Sequence, residues 1–194
     1  MPCIGTAMLG LNPNPPTTLS GFSGAPDTLR AMVAAAHGPG GEQSMLVRTM
    51  VESIVRNVWP KDYQGEILAV RNWAASHIFF LGDPSHVELV RTPQRIVEEY
   101  TANGVARADC DDIACTIGTM CLQLGRLAEF IVAGFGERGH YSHVFVRVQE
   151  PKSKKWIVCD PVAGTEEREM LGRITTYEVW SLDEPAGTPG RRMR

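Results

Sequence analysis

The chain has no C-x-x-C pair, no apolar run approaching the roughly eighteen residues of a membrane span, and little net charge. Each absence removes a class of protein. The five cysteines, at positions 3, 110, 115, 121 and 159, are odd in number and unpaired in spacing, which excludes a disulfide framework and a zinc ribbon and fits a reducing cytoplasm. A net charge of -3 supplies no broad basic surface for nucleic acid or anionic lipid. The first residues carry no charged leader ahead of a long apolar core, so the expectation is a soluble cytoplasmic protein with no membrane partner. No ligand pattern for a metal and no cofactor motif stands out, so neither is expected.

What is present fits one α+β domain, for which 194 residues are ample. Residues 1–41 are punctuated by NPNPP, SGFSGAP and HGPGG, and only Thr28 to His37 can form a short helix. This stretch is read as an extended Pro/Gly-rich arm, either a flexible tail or a segment that orders on a protein partner. The folded domain is placed at 42–182, with a flexible tail at 183–194, where EPAGTPGRRMR lacks any pattern.

Within the domain, Met45, Leu46, Met50, Ile54 and Val58 recur at helical spacing up to Trp59-Pro60. A second helix is expected from about Gln64 to Phe80, with His77 a surface or packing residue and not a ligand. VELVRTP reads as extended, followed by a helix from Pro93 to Tyr100 capped by Thr92 and closed by Asn103 and Gly104. From Cys110, the residues Ile113, Ala114, Ile117, Met120, Cys121 and Leu124 trace one helix face. Three strands, LAEFIVAGF, SHVFVRVQE and KKWIVCDPV, then follow as antiparallel neighbours, and the chain beyond Glu166 holds one more helix and the strand ITTYEVWSL.

The chemistry concentrates at the head of the cysteine helix. Asp109 is a natural N-cap, Cys110 takes the first helical position, and Asp111 and Asp112 fill the first turn, where unpaired backbone N–H groups favour carboxylates. The same terminus favours a thiolate, but the carboxylates oppose it, so a cation is needed to tip the balance. Period-two alternation groups His143 with Phe145 and Arg147, and Asp160 with Trp156 and Val158. If the two strands are antiparallel neighbours, His143 lies beside Asp160, which fixes the imidazole while its other nitrogen serves Cys110. His140, in the Gly-rich connection three residues earlier, is the competing base. Cys115, Cys121 and Cys159 are read as small buried hydrophobes.

The stretches DCDDIA, SHVFVRV and WIVCDPVAG, in the order Cys, His, Asp and separated by 33 and 17 positions, resemble the transglutaminase-like superfamily of the papain-like fold, of bacterial or tailed-phage type. The likeness covers about Gln64 to Gly164, with Ala108 where Gly is usual in that family and Val144-Phe145 where it often has another residue and Trp. It implies a papain-like core with the cysteine at the N-terminus of a buried helix packed on an antiparallel sheet. It also implies acyl transfer by a Cys110-His143-Asp160 triad through a thioester. The oxyanion would be held by the Cys110 backbone N–H and a donor from the Thr101 to Arg107 loop, with Asn103 a candidate and Asp109 in support.

The expected function is a cysteine peptidase or amidohydrolase acting on a peptide or protein. The alternatives are a structural or assembly protein of a phage or prophage particle, its arm bound to other phage structural proteins and the chain virion-associated, and a protein-crosslinking transglutaminase. The substrate cannot be read from the sequence, because specificity would lie in loops such as Gly136 to Tyr141.

Overall fold

Asp109 halts the preceding chain in an extended conformation and accepts from the Asp112 backbone N–H at 3.4 Å, which starts the helix Cys110–Gln123 (α5). The computed structural model describes residues 16–20, 25–83, 87–136, 141–162, 171–183 and 191–193. Around α5 the element order is β1 (Thr17–Ser20), α1 (Ala25–His37), α2 (Met45–Val55), α3 (Tyr63–His77), β2 (Ile78–Phe80), β3 (Val87–Val90), α4 (Pro93–Asn103) and β4 (Ala106–Ala108). After it come β5 (Ala128–Gly134), β6 (His143–Gln149), β7 (Trp156–Cys159), β8 (Thr176–Ser181) and β9 (Arg191–Met193). The class is α+β, as expected.

The helix α5 is buried continuously from Asp111 to Cys121, more than the single apolar stripe in its sequence requires. The extra burial comes from α1, which packs on it, together with α2, α3 and α4. Gly118 lets α5 approach the sheet closely: a Cβ there would come within 2.9 Å of Leu182 Cδ1 and 3.4 Å of Phe130 Cε1.

The main sheet has five strands in the order β7-β6-β5-β8-β9, each pairing antiparallel. Val132, Val144, Val146 and Cys159 join the large core under α5, whereas Ile131, Ala133, Phe145 and Val179 form a second apolar cluster. This alternation is the strand period of two at work. The three expected strands after α5 are adjacent and antiparallel, and the tail strand lies against β5.

Three boundaries differ from the sequence reading. The short helix allowed within the arm at Thr28 to His37 forms as α1 from Ala25 onward, but it belongs to the folded domain: its Leu29, Met32, Val33 and Ala36 are fully buried in the core. The Pro and Gly residues around this short alanine-rich helix masked its apolar face. The second helix stops at His77, because Ile78, Phe79 and Phe80 pair parallel with β4. Part of the expected C-terminal tail, Arg191 to Met193, pairs with β8. The remainder of the arm (1–15), the tail (184–190) and most of the helix expected after Glu166 lie outside the described residues, as do Cys3 and His140.

The helix α4 runs from Pro93 and closes at Gly104, whose φ of 75° is the left-handed conformation that favours glycine. His77 has the packing role expected: its Nδ1 lies 2.8 Å from the Trp73 carbonyl, and its ring stacks on Trp73 and meets the edge of Tyr100. Among the described residues no helix is long and apolar enough to cross a membrane.

Candidate active site

Cys110 sits at the first helical position of α5, and the Val144 backbone N–H of β6 donates toward its sulfur. Burial pushes the thiol up to about 12, and Asp111, Asp109 and Glu88 add to the rise, while the Val144 N–H opposes it. Burial first, with the neighbouring carboxylates adding to it, favours this sulfur as a neutral thiol.

Two aspartates of the helix's first turn, Asp111 and Asp112, are themselves desolvated. Asp112 takes a fork from Arg91, whose backbone N–H and Nε donate to Oδ1 at 2.7 Å and Oδ2 at 2.6 Å. Burial still outweighs that guanidinium and raises Asp112 to about 7. Asp111 is 1% exposed, and neither of its oxygens meets a donor. Burial first, then its contact with the Asp109 carboxylate, raises Asp111 to about 10, so it carries a proton at neutral pH. That proton reconciles an acid without a donor with a hydrogen bond between two carboxyl groups: Asp111 donates and Asp109 accepts.

His143 and Asp160 come together as the strand reading expects. The β6–β7 register pairs Val146 with Cys159, which places Asp160 level with Phe145 and diagonal to His143 on the same side. His143 Nε2 is 2.6 Å from Asp160 Oδ2, and the Val162 backbone N–H donates to Asp160 Oδ1 at 3.1 Å. Asp160 is 1% exposed, so its orientation is set by these partners and not by water. Phe135 and Phe145 flank the imidazole at 6.4 and 5.9 Å between ring centres. With Nε2 committed to Asp160, Nδ1 is left for a second partner.

Cys110 and His143 line one cavity of about 370 Å³. No hydrogen bond joins the thiol to the imidazole in this arrangement. Asp109 serves as both helix cap and cavity wall. Asn103, offered as an oxyanion donor, is not part of that wall: it ends α4, and its amide donates to the Glu99 carbonyl at 3.1 Å. Its position as the last residue of α4 keeps it with its own helix. Of the two donors expected there, the Cys110 backbone N–H is the one that stands at the helix head beside the cavity.

Sequence reasoning missed three parts of the site. Arg91 clasps Asp112, and its guanidinium also meets Glu99 and the Arg107 carbonyl, so it ties β3, α4 and β4 to the helix head. Tyr141, on the cavity wall, donates to Glu178 of β8 at 2.9 Å. The helix α1 supplies Thr28, Leu29 and Met32 to the wall. Only the lone arginine in VELVRTP, just before the Thr-Pro helix start, could have hinted at the first of these. Asp109, Asp111 and Asp112 place carboxylate oxygens within 4.8 Å of one another, a donor set that suits a hard cation.

No family model matches the chain, and no curated protein does. Among solved structures, it is similar to one named a "putative protease" from Parabacteroides distasonis ATCC 8503, with a TM-score of 0.51 and 14% identity over 84% of this chain. The matched region is 30% of that protein's length, so the chain spans under a third of it. At this identity the likeness concerns the fold.

Proposed function

We propose that the protein is a cysteine peptidase or amidohydrolase with a papain-like, transglutaminase-like core and the triad Cys110, His143 and Asp160. The observation that carries this reading is the buried Asp160 bound at 2.6 Å to His143, on the wall of a cavity shared with Cys110 at a helix head. The neighbour named for a protease is in keeping with it.

In this mechanism Asp160 holds Nε2–H and so presents Nδ1 as the base. Because the thiol is neutral, Nδ1 takes its proton as Sγ attacks the amide carbonyl, and does not form a stable ion pair beforehand. The carbonyl electrons move onto oxygen, where the Cys110 backbone N–H at the head of α5 faces the developing charge. Collapse breaks the C–N bond, the imidazolium gives its proton to the leaving amine, and a thioester remains on Cys110. Water activated by the same imidazole releases the acid and restores the thiol. A peptide or protein is the partner this chemistry implies.

The experiment is to incubate the protein with a mixed peptide library and a labelled primary amine, and to read products by mass spectrometry. New free carboxyl termini that vanish in Cys110→Ala support hydrolysis. Amine-tagged products alone would turn the reading to transfer, and no Cys110-dependent product of either kind would overturn it.

A further inference from the structure

The cavity beside Cys110 holds more carboxylates than acyl transfer uses. Besides Asp109 at the helix head, Asp83 and Glu88 stand on its wall, and among the described residues lining it there is no lysine or arginine. Asp83 is held in place by the Leu89 backbone N–H and Glu88 by the Thr28 hydroxyl, so both carboxylates keep fixed positions. A separate observation points to a missing donor: Asp111, on the same wall and 1% exposed, has two oxygens that meet none. Buried carboxyls without donors are rare in native proteins and mark places where a polar partner belongs. Leu29, Met32, Phe80 and Val132 give the same wall an apolar portion.

We propose that this cavity is a specificity pocket for a basic residue, lysine or arginine, adjoining the scissile amide. The alkyl stem lies against the apolar wall, and the charged head takes the carboxylates of Asp83 and Glu88 and a donor-seeking oxygen of Asp111. A volume of about 370 Å³ accommodates one long side chain with a little of the backbone beside it. An apolar residue of equal length would leave the carboxylates unmatched, and an acidic one would be repelled. The arriving cation also relieves the repulsion that these carboxylates impose on the sulfur. The aspartates that oppose a thiolate are thereby given a purpose, namely to make reactivity depend on the correct substrate.

This inference rests on the acyl-transfer reading, and its test separates the two. Chloromethyl ketones bearing lysyl, norleucyl or glutamyl side chains are reacted with the protein in chelator, with the rate at Cys110 read by peptide mapping and normalised to iodoacetamide. The lysyl reagent should lead the norleucyl one by about tenfold or more, with the glutamyl reagent slowest. The lead should shrink toward parity in high salt and in the double variant Asp83→Asn, Glu88→Gln. Equal normalised rates, or a lead that neither salt nor the variant changes, overturn the pocket. Should Cys110 resist every reagent, acyl transfer fails, and the pocket is then decided by calorimetry on Cys110→Ala. Binding of Nα-acetyl-lysine amide about tenfold tighter than its norleucine counterpart sustains the pocket, and equal binding removes it.

Discussion

The helix α5 carries the same residue type in opposite circumstances along its length. Cys115 and Cys121 lie fully buried in the main core, and Cys115 donates to the Met32 carbonyl at 3.5 Å. Burial drives both thiols far upward, and neither lines the cavity beside Cys110. Cys110 is also raised, but it is part-exposed, receives the Val144 N–H and shares its cavity with an oriented imidazole. Burial alone silences a thiol. What distinguishes a nucleophile is an access route and a base whose second nitrogen is already held.

Mutation can break that contrast, starting with the largest effect. Cys110→Ala should lower any amide-cleaving activity by roughly 10⁴-fold or more, whereas Cys121→Ala should leave the rate per folded molecule unchanged; steady-state kinetics on a common substrate decides. Removing Arg91 strands the buried Asp112 carboxylate, so Arg91→Ala should cost about 3–5 kcal/mol of stability in denaturant titrations. Asp160→Asn keeps the size of the partner but not its charge and should slow turnover by about 10²-fold or more with little change in melting temperature.

The pH dependence sharpens the same comparison. Asp112 and Asp111 have folded values raised to about 7 and about 10 from an ordinary 3.8, so the folded protein keeps protons that the unfolded chain releases. Their contribution therefore falls as pH rises: Asp112 loses stability from near 4 to about 7, and Asp111 continues to lose it up to about 10. Melting temperatures should drop between about pH 5 and pH 8, and Asp111→Asn should flatten that decline; a midpoint rising over this range would contradict the burial argument. In the buried part of the helix, Cys115→Ala should cost only about 1 kcal/mol and leave Cys110 labelling untouched.

Much of the site was legible because it follows from periodicity. The Asp-Cys-Asp-Asp start predicts a capped helix, and alternation plus a short connection predicts that His143 and Asp160 meet, as their 2.6 Å contact shows. Those inferences need only local geometry. What escaped depends on long-range packing. Arg91 lies 21 positions before Asp112, and nothing in VELVRTP announces the pair. The short helix at Thr28 to His37 was legible, but its membership of the core was not, because its apolar face has meaning only against its partner α5. Asn103 looked available because it sits in the right loop, yet its own helix claims it.

The most direct test of the central claim is the rate at which iodoacetamide modifies each cysteine of the native protein at neutral pH, with and without His143→Ala. The account predicts that Cys110 reacts well ahead of Cys115, Cys121 and Cys159, and that removing the imidazole slows it by about tenfold or more. A Cys110 as sluggish as the buried cysteines, or equally reactive without His143, would contradict it.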